Sequence, residues 1–486
     1  MTVTSYGGTE PGVKARQHYN LTFAILALGG GTYTVLQSLV APALPAIQRD
    51  LHVSAASVAW ILTAYLLSAS VMTPIVGRLG DMFGKERTLV AVLVVLALGT
   101  LVAAVATTLP LMLVGRVIQG AGGAIFPLGF GIIRDEFPRE RVPQGIALMS
   151  AIIGIGGGLG IVLAGPIVSA FSYHWLFWIP LVLVVIATVA TVFFVPESPI
   201  KSPGRVNWTG AVLLSAWLVC VLVAVSEGPT WGWGDGRTLG LLVVGVILAV
   251  AWVANERRAA EPLVDMEMMR IRGVWTVNAA AFTVGAGMYS SFILIPQFVE
   301  MPKSVGFGFA ASITGAGLFL LPSTVAMLIV SPLAGRMASR IGARVPLVLG
   351  CAVTTLSFAM LAVAHSQRWE IYIAAALLGT GIGLAFASLA NLIVEAVRPE
   401  QTGVATGVNT VMRSLGGAVG STIGASVLTG TVTAGGLPTE HGFTLAFAIA
   451  AAACALAVLA SLIVPRPGRP EDTAQPAPVA GSVKTA

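Results

Sequence analysis

Two arginines lie inside long apolar runs of this 486-residue chain, Arg116 in LMLVGRVIQGAGGA and Arg413 in TVMRSLGGAVG. A cation within a membrane span costs about 2.5–3.5 kcal/mol on insertion scales and persists where it meets water or a partner. Gln119, one turn beyond Arg116, shares its helix face. The 21 acids offer no counterpart, since none falls mid-run and Glu300 and Glu395 come nearest, each at the end of one. Asp81 stands between Gly77 and Gly84 in GRLGDMFGKER, a short turn in which glycines permit tight backbone geometry. These groups suit charge compensation and proton binding rather than bond making. No metal-ligand cluster, nucleophile and base pair or cofactor loop accompanies them, and GIGGGLG at Gly154–Gly160 follows no strand, so neither an enzyme nor a cofactor is expected.

Residues of this kind require a scaffold dissolved in lipid. Only 10% of the chain is charged, 56% is hydrophobic and the mean hydropathy is +0.89, whereas a soluble chain is about 25% charged. The net charge of +6 comes with no basic run interleaved with aromatics, which argues against nucleic acid. Cys220, Cys351 and Cys454 sit singly in apolar runs and read as small packing residues. A span needs about 20 apolar residues. Cutting the sequence at charges and turns predicts fourteen, at 20–43, 55–77, 88–107, 110–133, 145–170, 175–195, 207–226, 238–255, 274–299, 309–334, 345–364, 371–396, 403–429 and 441–464. The first is too long for a signal-peptide core and reads as a retained span.

Lys and Arg set the orientation, because they collect in cytoplasmic loops. With both termini cytoplasmic, only Arg49, Arg237, Lys303 and Arg368 of the 27 fall in outer loops, while Arg116 and Arg413 lie within spans. His52, His174, His365 and His441 then fall at outer loops, as interface residues.

An internal repeat follows. GRLGDMFGKER at 77–87 recurs as GRMASRIGARV at 335–345, an offset of 258. Gly120 and Gly122 match Gly379 and Gly381, and Gly156, Gly157 and Gly160 match Gly416, Gly417 and Gly420. Spans one to six thus pair with nine to fourteen. The expected organisation is a cytoplasmic segment 1–19, a six-helix bundle 20–195, two inserted helices within 196–273, a second bundle 274–464 and a disordered cytoplasmic tail 465–486.

GRLGDMFGKER and LVGRVIQGAGGA at Leu113–Ala124 resemble the loop and fourth-span signatures of the major facilitator superfamily, and within it the fourteen-span drug:proton antiporters. The resemblance covers residues 20 to 464 and implies an all-α polytopic membrane protein of two six-helix bundles plus two central helices. It implies a monomer in a bacterial cytoplasmic membrane that exchanges a small molecule for protons, with Arg116 as coupling residue. Asp81 is expected to bond Arg134 and to face the positive N-terminal end of span thirteen near Gln401–Gly403, latching the bundles. Gly77, Gly84, Lys85 and Arg87 complete this gating loop, the last two as ordinary inside-positive anchors. Glu300, Glu395 and Asp81 are the carboxyl candidates for a proton site.

Span five departs from the antiporter signature, with Ile161 and Ala164 at the usual proline and glycine places and Pro166 five residues late. Close helix packing remains the expected task of Gly156, Gly160, Gly165 and Pro166, and of Gly416 and Gly420 in the repeat. The acid that the subfamily carries in its first span is replaced by Leu36, beside Gln37. A carrier of lipophilic cations needs a buried carboxylate. Arg116 with no deep acid points to a neutral or anionic cargo, and Arg413 adds to this where it faces the cavity. Tyr33, Gln37, Tyr65, Gln119, Asn278, Tyr289, Gln297, Asn391, Asn409 and Arg413 are the expected cavity lining, with Arg116 facing the cavity and Arg413 divided equally between cavity and interface. Proton-coupled export of small amphipathic compounds is the leading expectation. Import of an anionic or neutral nutrient, and a non-transporting scaffold or sensor, are the alternatives.

Overall fold

The computed structural model describes residues 19–198, 200–202, 204–433 and 437–465. The expected N-terminal segment before Tyr19 and the tail from residue 466 lie outside the described residues. Apolar periodicity over long runs produces helices α1 (Tyr19–Asp50), α2 (Ala55–Phe83), α3 (Lys85–Ala104), α4 (Leu109–Gln119), α5 (Ile125–Glu136), α6 (Val142–Ala170) and α7 (Trp175–Phe194). Then come α8 (Trp208–Trp231), α9 (Gly236–Arg258), a short α10 (Met266–Arg270), α11 (Arg272–Glu300), α12 (Ile313–Ile341), α13 (Arg344–Val363), α14 (Arg368–Ala396), α15 (Thr402–Gly430) and α16 (Glu440–Ile463).

Among the described residues, thirteen helices are long and apolar enough to cross a membrane, with α4 and α5 counted as one rod joined by the 3-10 turn Gly120–Ala124. The expected thirteenth span, α15, has the length at 29 residues but is rich in Gly, Ser and Thr. Its neighbours α2, α5, α8, α11, α14 and α16 surround it, so it does not need a lipid-facing apolar surface.

Helices α1 to α7 pack on one another, as do α11 to α16, and the pair α8 and α9 packs together. Helix α8 also touches both α2 and α15, and Thr422 donates its hydroxyl to the Val225 carbonyl at 3.2 Å. Helix α9 is less enclosed, and its apolar stretch is largely unburied. The two halves meet where α2 lies on α15 and where α12 lies on α6. By the repeat offset α12 is the counterpart of α2 and α15 of α6, so the same pairing is made twice.

Several helices overrun the expected spans by one or two turns, because hydropathy reports contact with lipid and not backbone conformation. Helix α2 continues through Arg78 and Asp81 until Gly84, at φ 113°, ends it. Asp81 is thus on a helix rather than in the turn expected for it. Gly342 ends α12 in the same way at φ 84°, a conformation glycine adopts without steric cost. Pro42 and Pro45 lie inside α1, which runs on to Asp50.

Candidate functional site

At the Lys/Arg-rich end, the carboxylate of Asp81 is 1% exposed and accepts the backbone N–H groups of Gly403 and Val404, both at 3.0 Å. These N–H groups belong to the first turn of α15, where they have no intrahelical partner and carry the positive end of the helix dipole. Glycine at 77 allows the approach: a Cβ there would lie 2.5 Å from the Gly403 carbonyl oxygen. Arg134 does not bond Asp81 as expected. It donates to Thr402 Oγ1 at 2.7 Å and to the Val397 carbonyl at 3.0 Å, a second strap between the halves. Asn391, expected in the cavity, is a third, donating to the Pro143 carbonyl at 3.1 Å.

Lys85 is not a solvated anchor. Its side chain and that of Asp135 are each 1% exposed and pair at 2.7 Å, with the Ser198 hydroxyl bonded to the same carboxylate. Glycine at 131 makes room for the Lys85 stem. Asp135 was not among the expected site residues, although its place after the last apolar residues of the fourth span puts it level with Lys85. Arg87 pairs with Glu197 at 3.2 Å but is 74% exposed, where solvent leaves such a pair little net strength.

Arg116 is fully buried and lies inside the first half, away from the central cavity. It donates to the Ile61 carbonyl at 3.2 Å and to Gln119 Oε1 at 2.7 Å, and Gln119 donates onward to Thr100 at 3.1 Å. The Tyr65 ring covers its guanidinium at 4.1 Å. Arg116, Gln119 and Tyr65 therefore form a polar knot joining α2, α3 and α4, which corrects the expected cavity-facing arginine. A helix wheel could not decide this, because in a bundle the polar face points as readily at a neighbour as at a cavity.

The central cavity lies between the halves, with a volume of about 50 Å³. Tyr33, Gln37, Tyr289 and Arg413 line it as expected, with Ser70, Phe126 and Ile153 among the other walls. Arg413 is half-buried, and its guanidinium stands 4.6 Å from the Phe386 ring. Of the other expected lining residues, Asn409 donates to Asn278 at 2.9 Å between α15 and α11, and Gln297 is exposed at the far end of α11. Glu300 and Glu395 are also exposed at helix ends, away from the cavity. His365 departs from the expected interface role: it is buried, its Nε2 lies 3.2 Å from Glu440 Oε1, and Phe298 packs against its ring.

The glycines of α6 serve two partners. A Cβ at Gly156 or Gly160 would collide with Thr34 or Ser38 of α1, and one at Gly154 or Gly158 with Met327 or Thr324 of α12 across the interface. Gly165 faces Thr314 of α12, while Gly416 and Gly420 seat α15 on the backbone of α11 at Phe282 and Ala286.

A pair of helical halves, joined by a doubled interface around a central cavity, is matched by known proteins. Residues 26–421 match the Major Facilitator Superfamily. The chain is similar to the multidrug resistance protein Stp of Mycobacterium tuberculosis (strain ATCC 25618 / H37Rv), 27% identical over 415 residues that cover 84% of this chain and 76% of the relative. It is similar also to the tetracenomycin C resistance and export protein of Streptomyces glaucescens, 28% identical over 408 residues, 81% of this chain and 73% of the relative. In fold it matches the crystal structure of the human organic anion transporter MFSD10 (TETRAN) with a TM-score of 0.66 at 15% identity, covering 92% of this chain and all of the other. The match to most of its length makes this chain a multi-pass membrane transporter of the major facilitator superfamily.

Proposed function

We propose that this transporter exports small amphipathic molecules from a bacterial cytoplasm in exchange for protons, as a monomer with both termini cytoplasmic. The observation that carries the reading is the closure of the Lys/Arg-rich end by Asp81 and Arg134 beneath a cavity of about 50 Å³. Drug-sized ligands occupy roughly 300–1,000 Å³. Cargo can then be admitted only when the halves separate, as alternating access requires. The relatives named for multidrug resistance and tetracenomycin C export support the outward direction.

Among the three carboxyl candidates, Asp81 alone is buried and bridges the halves, so it is the group best placed to couple proton binding to opening. Protonation removes the charge that the α15 N–H groups hold, which weakens the closed state. Arg116 acts in this scheme as a positioning residue that keeps α2 and α4 in register. The test is accumulation of cationic, neutral and anionic compounds in a pump-deleted bacterial host, with and without a protonophore. Lowered accumulation that the protonophore abolishes supports the reading. Raised accumulation indicates import, and no difference from empty vector at verified expression refutes transport of the panel.

A further inference from the structure

We infer that the preferred cargo is an aromatic organic monoanion, a carboxylate or phenolate, and that Arg413 holds its charge; the inference rests on the export reading and adds the substrate class to it. Arg413 sits near the middle of α15 and is the one charged side chain lining the central cavity among the described residues. No acidic side chain lines it there, and α15 contains none. The other intramembrane arginine, Arg116, is held by a carbonyl, an amide and an aromatic face. Arg413 has the aromatic face alone: Phe386 takes the guanidinium plane, and among the described residues no side-chain hydrogen bond engages its N–H edge. That edge is a planar fork that matches a carboxylate bidentately.

The repeat sharpens the point. The glycine matches between α6 and α15 run at an offset of 260, which sets Ile153 in the place of Arg413. Both line the same cavity, so the fold does not need a cation at this level, and only one wall is charged. Tyr33, Tyr289 and Phe126 supply aromatic walls against which a flat ring can stack, and Gln37 adds an amide. A lipophilic cation would meet Arg413 in a low-dielectric site with no carboxylate to offset either charge. A neutral ring would leave the N–H edge without an acceptor. A carboxylate answers both.

The test uses three probes of one shape, 2-naphthoate, 2-naphthamide and 2-naphthyltrimethylammonium. Their binding to the purified transporter and their energised accumulation in inside-out vesicles are measured for wild type, Arg413→Lys and Arg413→Gln. Wild type is expected to favour naphthoate over naphthamide by about tenfold or more and to bind the ammonium least, consistent with a hydrogen-bonded charge pair. In Arg413→Gln the carboxylate-to-amide ratio falls to about one, and in Arg413→Lys it is intermediate. An unchanged ratio in Arg413→Gln overturns the inference, as does a wild-type ranking led by the ammonium or the amide, which stands as the deciding measurement should the variant not fold. Binding led by naphthoate without energised accumulation removes the export reading and leaves the charge selection standing.

Discussion

The Asp81 carboxylate and the Gly403 N–H, 3.0 Å apart, tie the last turns of one helix in the first half to the first turn of a helix in the second. The repeat does not reproduce this bond. Ser339, in the place of Asp81, turns its hydroxyl back to the Arg336 carbonyl of its own helix at 2.9 Å. Closure at the Lys/Arg-rich end is therefore asymmetric, charged where α2 meets α15 and uncharged where α12 meets α6.

Replacing Asp81 should open that end. Hydrogen bonds to a charged group contribute about 1.5–3 kcal/mol, so Asp81→Ala should raise the open population by roughly ten- to a hundredfold. The measurement is labelling of Thr410→Cys, on the cavity wall, by an impermeant maleimide in inside-out vesicles. Asp81→Asn, which keeps an acceptor without the charge, should fall between wild type and Asp81→Ala. Equal labelling rates in all three would remove Asp81 from the gate.

A buried ion pair makes a different prediction. Lys85 and Asp135 are both nearly inaccessible, and removing one partner strands the other charge at a cost of about 3–5 kcal/mol. Lys85→Met alone should lower the melting temperature in detergent sharply. Adding Asp135→Leu should recover most of the loss, since an apolar pair of similar volume often matches a buried ion pair. A double variant as unstable as the single one would show that the pair contributes through specific bonds, the Ser198 hydroxyl included.

What could be read from the sequence was the solvent, the repeat and the placing of charges along the chain. Long apolar runs and the GRLGDMFGKER repeat are one-dimensional signals that lipid and duplication impose directly. The facing of a side chain is not such a signal. Arg116 and Arg413 look alike in sequence, yet one is sealed among α2, α3 and α4 and the other lines the cavity. The difference is set by Tyr65 and Ile61, partners 51 and 55 residues away from Arg116. The sequence shows Lys85 as a loop cation for the same reason: its partner Asp135 lies on another helix. Asn278 and Asn409 pair with each other, which hydropathy cannot distinguish from lining a cavity.

The two arginines should accordingly fail in different ways. Arg116→Lys cannot reproduce a planar group that donates to Ile61 and Gln119 while stacking on Tyr65. Thermal stability should drop, and transport of naphthoate and naphthamide should fall in proportion, leaving their ratio unchanged. Arg413→Gln should instead change the ratio. A selective loss of one probe in Arg116→Lys would return that residue to the cargo pathway.

Charge selection by Arg413 also predicts how voltage acts on export. Moving one elementary charge across the membrane potential is worth about 2.3 kcal/mol per 100 mV. If one proton enters for each molecule exported, a neutral cargo moves one positive charge inward per cycle. A monoanion leaving in the opposite direction adds a second. At zero pH difference, a potential of about 100 mV, negative inside, should therefore raise the limiting gradient of naphthoate by roughly fiftyfold more than that of naphthamide. Proteoliposomes clamped with potassium and valinomycin give both gradients directly. The same voltage dependence for the two probes would mean that naphthoate crosses as the neutral acid, and the positive wall at Arg413 would then have no part in the translocated species.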